Sequence, residues 1–307
     1  MKTTHRSYDE EAGDFRRLCR FVQAHDDALR AYSTWCIGRL VDWKYGLYEN
    51  KTAVPDFCNQ NAHLWFDGFG DLAGFVISEN GGAEFAMVTR AGSRFLFAEM
   101  LGWGLAHWGA RGPRLAVEVT ARQELETAVL TAHGFLQTGV FYTEAFDLAR
   151  PLTPQAPLPD GFAIVDMASR PDYVAQRRLR NNAFRGIDEL PEAELARQMR
   201  FYNHGHQGPI YHAETDLCVV APDGRFAAGC EALIDAHNAA ADVERVCTHS
   251  DFRRQGLARA VILACLHRLR AMGLRRAYIT GYSEAAVALY ASLGESARST
   301  AYIYESP

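Results

Sequence analysis

The stretch CTHSDFRRQGLARAVILACLHRLRAMG, Cys247 to Gly273, ends a strand, crosses a charged loop and opens a long helix. Leu257, Val261, Ile262, Cys265, Leu266, Leu269 and Met272 recur at i, i+3, i+4 spacing and form an apolar face, with Arg259, His267 and Arg270 lying off it. Gly273 is placed to end that helix. At its start, no Ser, Thr, Asp or Asn stands beside the first periodic residue. The first-turn N–H groups therefore lack a side-chain acceptor and suit an external one such as a phosphate. Gly256 has no Cβ to hold an anion away, Ala258 is small, and Arg253 and Arg254 add positive charge where the helix dipole also points it. Arg253-x-x-Gly256-x-Ala258 thus predicts a pyrophosphate cradle between a strand and a helix.

Around this stretch the second half of the chain alternates element types. GFAIVDMA (Gly161 to Ala168) reads as a strand, and DYVAQRRLRNNAF and EAELARQMRFY carry helical spacing. TDLCVVAPDGRFAAGCEALID is two apolar runs about the turn Pro222-Asp223-Gly224, a hairpin pattern. After the cradle helix come a strand RRAYIT, a helix SEAAVALYASLG and a closing strand around TAYIY. This order predicts a mixed α/β sheet with helices on both faces.

The first half repeats the tail of that order: a hairpin in GDLAGFVISENGGAEFAMV, a helix in SRFLFAEMLGWGLAHWG, a strand RLAVEV and a helix ELETAVLTAHGF. Setting Gly134 against Gly294, a single ungapped offset brings Glu84 onto Glu244, Val88 onto Thr248 and His107 onto His267, which reads as an internal duplication. At that offset Ser93, Leu96 and Leu130 stand where the second half has Arg253, Gly256 and Tyr290, and Phe95 to Phe97 (FLF) crowd positions that must be small. Between the halves, RPLTPQAPLPDG holds four prolines and predicts a stiff, extended connector. The expected domains are residues 1–150 and 161–307, joined by a linker at 151–160.

At 307 residues the chain can bury two cores, and 48% hydrophobic with 22% charged residues is ordinary for a soluble protein. A net charge of -5 with no basic run among aromatics argues against a nucleic-acid partner. The apolar run Ala260 to Leu266 is far too short for a membrane span, and MKTTHRSYDEEAGDF has no apolar region of signal-peptide type. Seven scattered cysteines without a C-x-x-C pair or zinc spacing read as reduced thiols. A cytoplasmic location is the expectation.

The pair VERVCTHSDFRRQGLARAVILACLHRLRAMG and GYSEAAVALYASLGE resembles the acyl-CoA motifs of the GNAT superfamily of N-acetyltransferases: its strand, Arg/Gln-x-x-Gly-x-Gly/Ala loop and helix, then its Asn-x-x-Ala-x-x-Leu-Tyr segment. The resemblance implies two tandem GNAT domains, each a mixed, mostly antiparallel sheet flanked by helices, with a degenerate first domain that does not bind coenzyme A in the usual way. It implies acetyl-CoA as donor and a small-molecule or peptide amine as acceptor, with no metal. Amides from Arg254 through Gln255, Gly256 and Leu257 to Ala258 would hold the pyrophosphate, with Arg253 beside them. Backbone at Val246, Cys247 and Thr248 would pair with the pantetheine arm. Tyr290 would protonate the departing thiolate, a task suited to a phenol that is neutral at physiological pH. Ser283 stands where the family usually has Asn, and Glu295 where it usually has Phe; Ser283 still suits a helix cap.

Asp242 and Glu244 are spaced for one face of the strand entering the cradle unless a bulge intervenes, and Glu244 is the candidate general base. A fixed structural carboxylate is an equal reading, since the ungapped offset gives the first half a Glu there too. Cys247 reads as a packed thiol and His249 as a loop residue, although either type can act in catalysis. Tyr202, His204 and His206 are candidates for acceptor contact; the two histidines lack partners at metal-ligand spacing. Gly68 to Gly70 reads as a turn, and no Walker or Rossmann fingerprint is present. The rival from another class is a non-catalytic acyl-CoA-binding or regulatory module, for which Tyr290 has no purpose.

Overall fold

The computed structural model describes residues 3–24, 30–31, 33–46 and 54–307, apart from the side chains of Phe201 and His204. The chain divides into two compact units, Met1–Phe141 with Ser299–Pro307, and Tyr142–Arg298. This differs from the expected cut at the proline-rich segment. Residues 151–160 belong wholly to the second unit, where they run extended and lay Leu152, Ala156 and Leu158 on its core. The prolines stiffen a strap, and the carbonyl of Thr153 bonds His267 Nε2 at 2.9 Å.

The first unit carries strands β1 (Thr4–Ser7), β2 (Ala62–Phe66), β3 (Leu72–Ile77), β4 (Glu84–Thr89) and β5 (Ala116–Thr120). Its described helices are α1 (Asp14–Ala24), α2 (Ile37–Tyr45), α3 (Phe57–Asn61), α4 (Phe97–Trp108) and α5 (Glu124–Ala132). The sheet is antiparallel from β1 to β4 and parallel between β4 and β5. Its last strand comes from the far end of the chain: residues Ala301 to Glu305 pair antiparallel with Thr120 to Ala116. The segment Gly68 to Gly70 is the β2–β3 turn, with Gly70 at φ 83°.

The second unit holds β7 (Ala163–Asp166), α6 (Tyr173–Arg185), α7 (Glu192–Gly205), β8 (Tyr211–Val220), β9 (Phe226–Asp235), β10 (Ala240–Thr248), α8 (Leu257–Ala271), β11 (Arg276–Gly281) and α9 (Glu284–Ala291). Strands β7 to β10 form an antiparallel meander, β10 and β11 are parallel, and the next place is filled by Tyr142 to Asp147, the end of strand β6 (Leu136–Asp147). The two halves therefore exchange their final strands. Strand β12 (Ala297–Glu305) completes the first sheet as β6 completes the second, in matching register: Glu305 faces Ala116 and Asp147 faces Arg276.

The second core forms where α8 lies on β8, β9 and β10. Leu257, Val261, Ile262, Cys265, Leu266 and Leu269 are buried as their spacing predicts, and Ala260 and Leu263 widen the buried face. Met272, the seventh residue of the expected apolar face, is exposed, because it is the C-cap rather than a helical residue. Gly273 follows at φ 87°, and its N–H bonds Arg270 O.

Tyr304, three residues from the carboxyl end, packs with Trp65, Phe97, Val117 and Val119 in the first core. All five tryptophans lie in the first unit, so intrinsic fluorescence reports on it alone. Tyr304→Ala is expected to lower the stability read by tryptophan fluorescence in a urea titration by about 3 kcal/mol. A stability unchanged by this substitution would mean that β12 is not part of that cooperative unit.

Candidate active site

Helix α8 starts without a side-chain cap, as its sequence predicts. The first helical bond runs from Ala260 N to Gly256 O, which leaves the N–H groups of Leu257, Ala258 and Arg259 without an intrahelical acceptor. Two residues turn the backbone into this end in left-handed conformation, Arg254 at φ 63° and Gly256 at φ 77°. A Cβ on Gly256 would meet nothing within 4 Å, so the position needs glycine for its backbone angle rather than for space. Residues Arg253, Arg254, Gln255 and Gly256 are exposed, Ala258 is half-buried, and Leu257 points into the core. The Arg253 side chain folds back, its Nη2 donating to Ala183 O at 3.3 Å and its Nε to Thr248 O at 3.4 Å.

Strand β10 leads into this loop and leaves its parallel neighbour early. It pairs with β11 only from Ala240↔Arg276 to Asp242↔Tyr278, whereas β11 stays paired with β6 as far as Gly281. On its other edge β10 meets β9 with a bulge: Glu244 faces Glu231 and Cys247 faces Gly229, so three steps on β10 match two on β9. Arg245 sits in the bulge at φ 53°, a conformation that costs an arginine about 1–2 kcal/mol, and its guanidinium reaches Glu231 at 3.2 Å. Val246 and Thr248 beyond the bulge are half-buried. Cys247 is buried, and burial pushes its thiol up to about 12, so at neutral pH it is a packed thiol and not a nucleophile.

Tyr290 lies on α9 with its ring against Gly281, where a Cβ would sit 3.2 Å from the ring. It is buried, and burial first, then the Glu244 carboxylate, raise its phenol well above the ordinary tyrosine value. Tyr290 and Glu244, far apart in sequence, are thereby within electrostatic reach of each other. Ser283 caps α9, its Oγ accepting from Ala286 N at 3.2 Å. His249 caps the turn Ser250–Phe252, its Nδ1 accepting from Asp251 N at 3.2 Å.

A buried polar cluster packs between α6, α7 and the sheet of this unit. Arg180 Nη2 meets Glu231 at 3.0 Å and Asp216 at 3.3 Å, and Asp216 also accepts from Gln176 at 2.7 Å and from the Tyr211 hydroxyl at 3.1 Å. Burial works against the Asp216 carboxylate, but Arg180, His206 and Gln176 together more than offset it, so its pKa falls. His206 joins this group: its Nδ1 donates to Tyr202 O at 2.7 Å, and its Nε2 lies 3.6 Å from Asp216. Ligand atoms of His206, Asp216 and Glu231 come within 4.8 Å of one another, but the two carboxylates already have Arg180 and Arg245 as counter-charges. Tyr202 is fully buried and donates to Gln176, while the His204 side chain lies outside the described residues.

The first unit differs at every corresponding point. A 3₁₀ turn, Ala91–Leu96, runs straight into α4, so Leu96 caps it in right-handed conformation at φ -71°. Leu96, Phe97 and Leu130 are buried in the core; Phe95 is exposed. The ungapped offset also fails on β4. Arg276 lies 160 residues beyond Ala116, but Ala240, which pairs with Arg276, lies only 156 beyond Glu84, which pairs with Ala116. By register Glu84 corresponds to Ala240, and buried Val88 takes the place of Glu244. Strands β3 and β4 pair without a bulge, which removes the argument that Glu244 is a residue common to both halves.

Arg245, Glu231 and Gly281 carry site geometry that sequence reading missed. Only Gly281 left a trace, as a lone glycine closing a strand.

Comparison with known proteins agrees with this geometry. Residues 178–294 match the model of the acetyltransferase (GNAT) family. A GCN5-related N-acetyltransferase of Sphaerobacter thermophilus superposes with a TM-score of 0.68 at 17% identity, covering 99% of this chain and 96% of its own. A tandem GNAT protein from the clavulanic acid biosynthesis pathway gives 0.62 at 14%, covering 99% and 98%. A GNAT-family acetyltransferase from Colwellia psychrerythraea gives 0.57 at 15%, covering all of both chains. No curated protein sequence matches the chain. Residues 178–294 thus resemble the GNAT acetyltransferase family, and the whole length has the fold of tandem GNAT proteins.

Gly256→Ala is expected to cost about 1 kcal/mol in urea unfolding followed by far-UV circular dichroism, the strain of a left-handed alanine in open space. Gly281→Ala, which drives a Cβ toward the Tyr290 ring, is expected to cost more. The reverse order would mean that the ring is not fixed against β11.

Proposed function

We propose that the second unit transfers an acetyl group from acetyl-CoA to an amine by direct attack. The observation that carries this reading is the pair of left-handed residues, Arg254 and Gly256, which turn the uncapped N–H groups of α8 toward solvent beside two arginines. Such a site favours a pyrophosphate. The edge of β10 beyond the bulge then offers Val246 to Thr248 to the pantetheine arm. The corresponding turn of the first unit, filled by buried Leu96 and Phe97 and lacking a phenol, is proposed not to take the donor.

In this reading Glu244 accepts the proton of the attacking amine, directly or through water, as the nitrogen bonds to the acyl carbon and the C–S bond breaks. Tyr290 donates its proton to the sulfur, and exchange with solvent restores both groups. Burial and the nearby carboxylate favour the neutral phenol, the form that a general acid needs. The acceptor is an amine on a small molecule or peptide. Seven scattered cysteines without a C-x-x-C pair fit a reducing, cytoplasm-like compartment.

Isothermal titration is expected to find one acetyl-CoA site per chain, lost in Gly256→Trp and kept in Leu96→Ala; no site, or two, would overturn the assignment. With an acceptor found by screening, Tyr290→Phe is expected to lower kcat about 100-fold with little change in donor affinity. A raised phenol pKa predicts no alkaline fall in kcat from Tyr290 below about pH 10. Full turnover by Tyr290→Phe would remove the phenol from the chemistry, and donor binding without turnover on any amine would favour a binding module.

A further inference from the structure

Asn182, near the end of α6, is 3% exposed, and its amide makes three hydrogen bonds. Its Oδ1 accepts from Ser250 N at 2.7 Å. Its Nδ2 donates to Ser250 Oγ at 3.0 Å and to the Asp188 carboxylate, so both donors and one of the two oxygen lone pairs are engaged. None of this is needed to end the helix. Gly186, at φ 67°, closes α6 with backbone bonds from Gly186 N to Asn182 O at 2.9 Å and from Ile187 N to Asn181 O at 3.3 Å. The side chain is left wholly to two other segments: the connection from α6 to α7, through Asp188, and the turn Ser250–Phe252 that precedes the cradle.

We infer that Asn182 is a positioning residue for donor binding, joining the 186–190 connection to the cradle loop so that the two are held as one piece. This rests on the reading of the cradle as the acetyl-CoA site. The left-handed residues Arg254 and Gly256 follow Ser250 by four and six positions, so the direction of the cradle's N–H groups depends on where the turn is anchored. The bond from Arg253 to Ala183 O fastens the same helix end three residues further along the loop. Asn182 is buried while Asp188 and Ser250 are exposed, so breaking the tie strands the amide of Asn182, the one member that water does not readily reach. A shift of the α6–α7 connection therefore pulls on the donor cradle through a single amide.

The chemistry permits an inversion test. Asn182→Asp keeps the acceptor for Ser250 N but sets two carboxylates against each other at Asp188. Asp188→Asn in that background restores the bond with donor and acceptor exchanged. Titration with acetyl-CoA, alongside thermal unfolding by circular dichroism, is expected to show Asn182→Asp about tenfold weaker in Kd, a difference of about 1.4 kcal/mol. Asp188→Asn alone is expected near wild type, and the double variant recovered to within about twofold. Wild-type affinity in Asn182→Asp, or a double variant that regains thermal stability but not affinity, would overturn the inference and leave the cradle standing. Failure of the wild-type protein to bind acetyl-CoA would overturn the cradle reading and this inference with it.

Discussion

The ion pair between Arg245 and buried Glu231 holds the second unit's central irregularity in place. An arginine does not adopt a left-handed conformation without cost, and β10 accommodates it only because the guanidinium is anchored to a carboxylate on the neighbouring strand. That one extra residue lets β10 keep its bond to β9 while it parts from β11 after three paired residues. The free edge so created, the carboxylate of Glu244 just before it and the loop that swings into α8 all follow from the same insertion. Arg180, shared between Glu231 and Asp216, ties the bulge to the polar cluster beneath α6 and α7. A buried carboxylate contacted by two guanidinium groups is costly to assemble and costly to break, which suits a part whose geometry must not drift.

The cradle was legible because its physics is local. A missing cap, a glycine and two arginines within a few residues of an amphipathic run need no knowledge of the rest of the chain. The hairpin at Pro222-Asp223-Gly224 and the helix over Tyr173–Arg185 were legible for the same reason. The bulge left no trace, because the residue in left-handed conformation is Arg245 and the partner that keeps it there lies on another strand. The exchange of β6 and β12 was equally silent: alternation identifies a strand and one of its faces, but not its neighbour. The proline-rich segment misled for an instructive reason, since stiffness and extension describe a strap packed on a core as well as a link between domains.

The comparison of the halves shows how an ungapped offset can be right for helices and wrong for a strand. His107 and His267 lie on helices whose starts, Phe97 and Leu257, also differ by 160 residues. On β4 the register moves by four, and the difference falls on the strand where the second unit carries its bulge. Losing those positions and filling the loop with Leu96 turn an open helix end into core packing. The first unit keeps the order of elements and gives up the features that would face an anion.

Exchange of the final strands also sets an order on synthesis. Residues 142–298, all that the second unit needs, have been made before residues 299–307 emerge. The first unit, although translated first, must wait for Ser299–Pro307 to supply its closing strand and the bond between Leu115 and Ser306, 191 positions apart. On the ribosome the first unit therefore closes after the second, with β5 an open sheet edge until residues 299–307 arrive.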